Sequence, residues 1–152
     1  MHVVGIEVRT KSDLEANAAT ARIAGLWNRF YQEKVAEKIA HRKDPGAVLG
    51  VYTNYESDHA GFYTLIVGAQ VQDAKAIPNG MVGVTIPSAE YLVFPAPGRM
   101  PEAIVTAWGK VWNYFAQSSA ARRVYTTDFE LYKTTNGEAS AEIYVAIEQA
   151  RV

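Results

Sequence analysis

Hydrophobic and polar positions alternate from Val3 to Thr10, with Val4, Ile6 and Val8 on one side and Glu7 and Arg9 on the other, which predicts a β-strand. From about Asn17 the period lengthens. Ile23, Leu26, Trp27, Phe30 and Tyr31 recur at the three-and-four spacing of one helical face. Two β-rich runs follow, near 47–53 and 61–71, joined by a polar turn that suits an antiparallel hairpin. Pro78-Asn79-Gly80 then marks a turn before a short apolar strand, MVGVTIP. After it the order begins again: EYLVFPA reads as a strand, and Pro101 suits the first turn of a helix, where its missing N–H costs nothing. Ile104, Ala107, Trp108, Val111, Trp112 and Phe115 form that helix's apolar face. The runs TDFELYK and AEIYVAIEQ flank Thr135-Asn136-Gly137-Glu138, a strong tight-turn signal.

The recurrence extends to the letters, for WNRFYQ at 27–32 returns as WNYFAQ at 112–117. Laid over each other without gaps, residues 5–32 match 90–117 in pattern, and the hairpins superpose with Tyr52 over Tyr132 and Gly50 over Glu130. The expected fold is therefore α+β: two pseudo-symmetric strand-helix-strand-strand modules, about 1–75 and 81–152, within one domain of 1–152. Antiparallel sheet, helices on one side and a cleft between the modules complete the expectation. Trp27 and Trp112 are expected to be core residues packed on the sheet.

Strand parity suggests which side chains meet the helices. Phe129, Leu131, Ile143, Val145 and Ile147 are expected under the second helix, and Val51, Tyr63, Leu65 and Val67 under the first. The far face would then carry Gly50, Tyr52, Phe62, Thr64 and Ile66 from one hairpin and Glu130, Tyr132, Tyr144 and Ala146 from the other. That face is too aromatic for water alone. A cleft lined by Tyr52, Phe62, Tyr132 and Tyr144, with Tyr91 or Phe94 from the fifth strand, would surround Glu130, while Gly50 leaves room beside it. An ionised acid buried without a partner costs several kcal/mol, roughly the effective penalty found in real proteins, and a cationic guest would offset it. Aromatic faces would add about 0.5–2 kcal/mol each by cation–π attraction. Asp128 and Glu142, nearer the strand ends, are expected to be exposed.

Composition narrows the chemistry. The 152 residues carry a formal net charge of -1 and no basic stripe, so direct binding of nucleic acid is not expected. Cysteine is absent, which removes disulfides and thiolate sites. His2, His41 and His59 are scattered, so no metal is expected, and the sequence calls for no cofactor. There is no nucleophile elbow, zinc-protease motif or phosphate-binding loop, and an enzyme is not expected. No stretch is long and apolar enough to span a membrane, and cytoplasmic residence is the expectation.

VVGIEVRT, LWNRFYQE, VLGVYTNYESDHAGFYTLIVGAQV, DFELYK and AEIYVAIE together resemble the GyrI-like effector-binding family, and above all the bacterial transcription-activator effector-binding domains, including stand-alone versions on integron gene cassettes. The resemblance covers essentially the whole chain. It implies a pseudo-twofold fold with a drug-binding cleft, capture of amphipathic cationic aromatic compounds, and a central glutamate matching Glu130 in DFELYK. Tyr52, Tyr91, Tyr132 and Tyr144 are carried over with it. Regulators of this type join the module to a helix-turn-helix reader, a segment not found here. A separate DNA-binding partner protein is thus one implied arrangement, and sensing for transcription regulation the implied role. Small-molecule hydrolysis with Glu130 as general base is the alternative, as some GyrI-like relatives suggest.

Overall fold

The computed structural model describes residues 1–73, 75–117 and 121–149. Its strands are β1 (His2–Thr10), β2 (Ala47–Thr53), β3 (Tyr63–Val71), β4 (Val82–Thr85), β5 (Glu90–Pro95), β6 (Ala121–Arg123), β7 (Asp128–Thr135) and β8 (Glu138–Gln149). Its helices are α1 (Ser12–Glu15), α2 (Ile23–Gln32) and α3 (Glu102–Ala116), with a 3-10 turn at Val35–Lys38. The strands pair antiparallel in the order β4-β1-β3-β2-β7-β8-β5, and β6 pairs with the C-terminal end of β8. β1-β3-β2 and β5-β8-β7 are thus mirrored about the β2–β7 join, as the repeated pattern implies. The fold is α+β, as expected.

α2 starts later than the periodicity suggests. The Glu15 carboxylate accepts the backbone N–H groups of Arg22, at 2.9 Å, and Ile23, at 3.1 Å. Two donors that the first helical turn leaves open are thereby satisfied, and residues 17–22 serve as a connection. Below α2, Leu26 and Phe30 pack with Val35 and Ile39 on Val4, Ile6, Leu65 and Val67. Ala103, Ala107 and Val111 of α3 pack on Ala141, Ile143 and Val145. Both helices lie over the same face of the sheet. Gly50 stands opposite Val67 on one side and Glu130 on the other, and Glu130 stands opposite Ile143, so these four share that face.

The hairpin registers correct the expected faces. Thr135 pairs with Glu138 around Asn136 and Gly137, whose φ values of 53° and 79° are those of a two-residue primed turn. Such a turn sets odd residues of β7 opposite even residues of β8. Phe129 therefore faces Tyr144 and leaves the helix side, whereas Glu130 and Tyr132 join it. The first hairpin behaves alike: Tyr52 pairs with Leu65 under the helices, and Val51 with Ile66 on the reverse. A one-residue slip turns a whole strand over, and the parity inferred from sequence was slipped within each hairpin. The reverse face gathers Val3, Leu49, Val51, Ile66 and Phe129, with Tyr91, Leu131 and Tyr144 against them.

Candidate functional site

Because the helices share one face, the space between α2 and α3 is floored by the centre of the sheet, where Gly50 and Glu130 stand opposite each other. These are equivalent positions of the two halves, so the approximate twofold axis passes between them. A Cβ on Gly50 would lie 2.9 Å from Glu130 Oε1 and 3.3 Å from the Trp27 ring. Absence of a side chain at 50 is what admits the carboxylate.

Glu130 is 3% exposed. Tyr52 donates to its Oε2 at 3.0 Å, Tyr132 to its Oε1 at 2.9 Å, and the indole N–H of Trp108 to Oε2 at 2.6 Å. Tyr52 and Tyr132 are themselves equivalents in the repeat, so one acid on the axis collects a hydroxyl from each half. Burial pushes the Glu130 carboxyl above its ordinary value, although the Trp108, Tyr132 and Tyr52 bonds oppose the shift. Burial and then the Glu130 charge raise the phenols of Tyr52 and Tyr132 well above the usual range, so both remain donors. The rings lock together edge to face, Tyr52 on Trp108 at 5.3 Å and Trp27 on Tyr132 at 5.2 Å.

Tyr52 and Trp108 also wall a cavity of about 490 Å³, together with Tyr55, Tyr63 and Trp112. Glu130 lies behind the first two rings. The phenol of Tyr63 is pushed up to about 12 by burial, then by Glu15 and Glu130. Glu15, His59 and Arg123 bring polar groups to the rim and walls. Arg123 is paired with Asp128 at 2.9 Å, where Asp128 also accepts the Tyr55 hydroxyl at 2.6 Å and the Ala146 N–H at 2.8 Å.

Several expected residues lie elsewhere. Tyr144 and Tyr91 are on the reverse of the sheet, Tyr144 stacked on Phe129 at 4.5 Å and Tyr91 edge-on to it at 5.4 Å, because the register sends them there. Phe94 shares the helix face but packs against Tyr114 and Phe115 at the far end of α3, away from the cavity wall. Phe62 precedes β3, beneath the Lys11 ammonium at 4.9 Å, and does not line the cavity. Asp128 is fully buried, not exposed, since Arg123 and Tyr55 close over it. Trp112 is 57% exposed at the cavity edge, whereas its neighbour Val111 takes the core position. Trp108, Tyr55 and Arg123 join the site beyond the residues that strand parity suggests. Trp108 carried a signal, an indole one helical turn before Trp112 whose repeat equivalent is Ile23. For the pairing of Arg123 with Asp128 the sequence offers none.

The sequence model of one family, Cass2, described as an integron-associated effector binding protein, matches residues 1–147. The regulator-like protein YobU of Bacillus subtilis (strain 168) is 27% identical over 149 residues, covering 95% of this chain and 91% of YobU. The transcriptional regulator BrlR of Pseudomonas aeruginosa is 26% identical over 110 residues, 72% of this chain and 38% of BrlR. An integron cassette protein from the mobile metagenome of Vibrio cholerae superposes with a TM-score of 0.80 at 36% identity, covering 97% of this chain and 90% of that one. SAV2435, solved bound to tetraphenylphosphonium, superposes with a TM-score of 0.76 at 26% identity, covering 97% of this chain and 88% of its own.

Proposed function

Since the chain belongs to the Cass2 family of integron-associated effector-binding proteins, we propose that its cavity captures amphipathic aromatic cations as effectors, with Glu130 as the counter-charge. The observation that carries this reading is a buried carboxylate held by two tyrosines and a tryptophan, two of whose rings wall the cavity. Donating to a carboxylate enriches the Tyr52 and Trp108 rings in electron density, and an electron-rich face attracts a cation more strongly. Glu15 adds a second negative charge at the wall, while Arg123 is offset by Asp128. The cavity thus favours a positive guest. Tetraphenylphosphonium, the ligand of the SAV2435 structure, is a fitting probe, and regulator-like relatives support a regulatory use of such binding.

Glu130 acts across a ring. For charges roughly 7 Å apart at an effective dielectric constant of about 20, the attraction is about 2 kcal/mol, roughly thirtyfold in affinity. Glu130→Gln is a suitable test because the amide oxygen can keep Trp108 and Tyr52 as donors while its NH2 group donates to the Tyr132 hydroxyl. Calorimetry should show tetraphenylphosphonium binding roughly thirtyfold more weakly to this variant, and tetraphenylborate, of the same shape and opposite charge, not binding the wild type. Equal affinity of the two proteins for the cation, or of the wild type for both ions, would refute the proposal. The three donors on Glu130 also weigh against its use as a general base, which needs a lone pair within reach of a substrate or water proton.

A further inference from the structure

Arg123 is a buried charge that cation capture does not use. Its side chain is 8% exposed, it borders the cavity, and its Nη2 donates to Asp128 at 2.9 Å and to the Tyr55 hydroxyl at 3.4 Å. The guanidinium lies 4.5 Å from the Tyr125 ring, 5.7 Å from Trp108 and 6.0 Å from Tyr55. Its Nε–H is buried and has no hydrogen-bond partner among the described residues. A guest's oxygen cannot touch that enclosed Nε–H, but the Nη1 N–H groups, which also have no hydrogen-bond partner among the described residues, belong to a guanidinium that borders the cavity and are open to an acceptor of the guest.

Resting on the reading of the cavity as a cation receptor, we propose that Arg123 forms a second polar subsite, which takes a neutral acceptor oxygen of the guest such as a ketone, ester or ether. Trp108 sets the spacing. Its indole N–H bonds Glu130 while its ring faces the guanidinium, so the two polar ends of the site share one aromatic group, one at its edge and the other over its face. Asp128 already balances the Arg123 charge, and Glu15 and Glu130 make the surroundings negative, so a carboxylate on the guest would be repelled where a carbonyl is not. The preferred guest is then a delocalised cation bearing an uncharged oxygen about one ring away. Arg123 is a specificity-determining residue, and its fork geometry is what lysine lacks.

The test compares tetraphenylphosphonium with (4-acetylphenyl)triphenylphosphonium by calorimetry at one pH and ionic strength. The wild type should bind the acetyl compound about tenfold more tightly, the gain of one hydrogen bond to a charged donor. Arg123→Lys keeps a cation beside Asp128, and the ratio of its two affinities should fall to about one, whatever its affinity for tetraphenylphosphonium. A readout on the wild type alone is the ketone infrared stretch, which should move to lower frequency on binding. No preference in the wild type, a preference retained in Arg123→Lys, or an unshifted ketone band overturns the subsite and leaves cation capture standing. Failure of both phosphonium ions to bind the wild type overturns the cation reading and the subsite with it.

Discussion

At the scale of single residues, the site depends on an omission as much as on a charge. Adding a methyl group at position 50 brings it to 2.9 Å from Glu130 Oε1 and 3.3 Å from Trp27. Such overpacking costs about 1–3 kcal/mol, whereas the entropy gained by leaving glycine returns roughly 0.4–1. Gly50→Ala is therefore expected to lose about 1–2 kcal/mol in urea unfolding and to weaken tetraphenylphosphonium binding as the carboxylate is displaced. Glu130 itself gives a signature in pH. Its carboxyl is raised above the ordinary 4.5 by burial, so the folded chain holds that proton more tightly than the unfolded one, and its contribution to stability declines as pH rises between the two values. A permanent cation favours the ionised form. Affinity for tetraphenylphosphonium should rise with pH across that same interval and level off above it, a rise that Glu130→Gln lacks. Glu15 and His59 also border the cavity, so the variant provides the baseline. That Glu130 would meet Tyr52 and Tyr132 is legible in the sequence, because the repeat superposes the tyrosines and breaks at the acid. Its bond to Trp108 is not, since a tryptophan on an apolar helical stripe reads as packing.

At the scale of elements, α3 separates packing from binding along one helix. Val111 is 0% exposed and Trp112 is 57% exposed at the cavity edge. Val111→Ala should cost about 2 kcal/mol, from two buried carbons at about 0.8 each and the void they leave, with unchanged affinity for the cation. Trp112→Ala should stay within roughly 0.5–1 kcal/mol of wild-type stability yet bind about five- to tenfold more weakly, as a partly desolvated cation–π contact is lost. Denaturant midpoints and calorimetry on the two variants check the contrast. Periods of two and of three to four placed β1, α2, β2, β3, β5, α3, β7 and β8 correctly in order. Register escaped, because periodicity says which residues of a strand share a side and not which residue of the partner lies opposite. Asn136-Gly137 held that information, since a two-residue turn fixes the parity of the whole ladder, and it outweighed the tidier apolar set that joined Phe129 to Ile143. β6 and α1, with three and four residues, are too short to carry a period at all.

At the scale of the molecule, the two halves meet through the β2–β7 ladder and through the rings around Glu130. Heating should therefore give one transition, with tryptophan fluorescence and far-ultraviolet circular dichroism coincident. Tetraphenylphosphonium at about a hundred times its dissociation constant adds about 2.7 kcal/mol to the folded state, which raises Tm by roughly 5–10 °C in a chain of this length. The pseudo-symmetric order was readable from the recurring WNxF phrase, yet the location of the cleft between the helices was not, because it follows from the registers. The Gly50–Glu130 crossing also limits how such a receptor can be assembled. Two identical chains meeting on a true dyad would place the same residue twice at that point, either a pair of glycines with nothing to attract a guest or a pair of acids that repel each other. A solitary anion on the axis is available only to a polypeptide whose halves have ceased to be alike there.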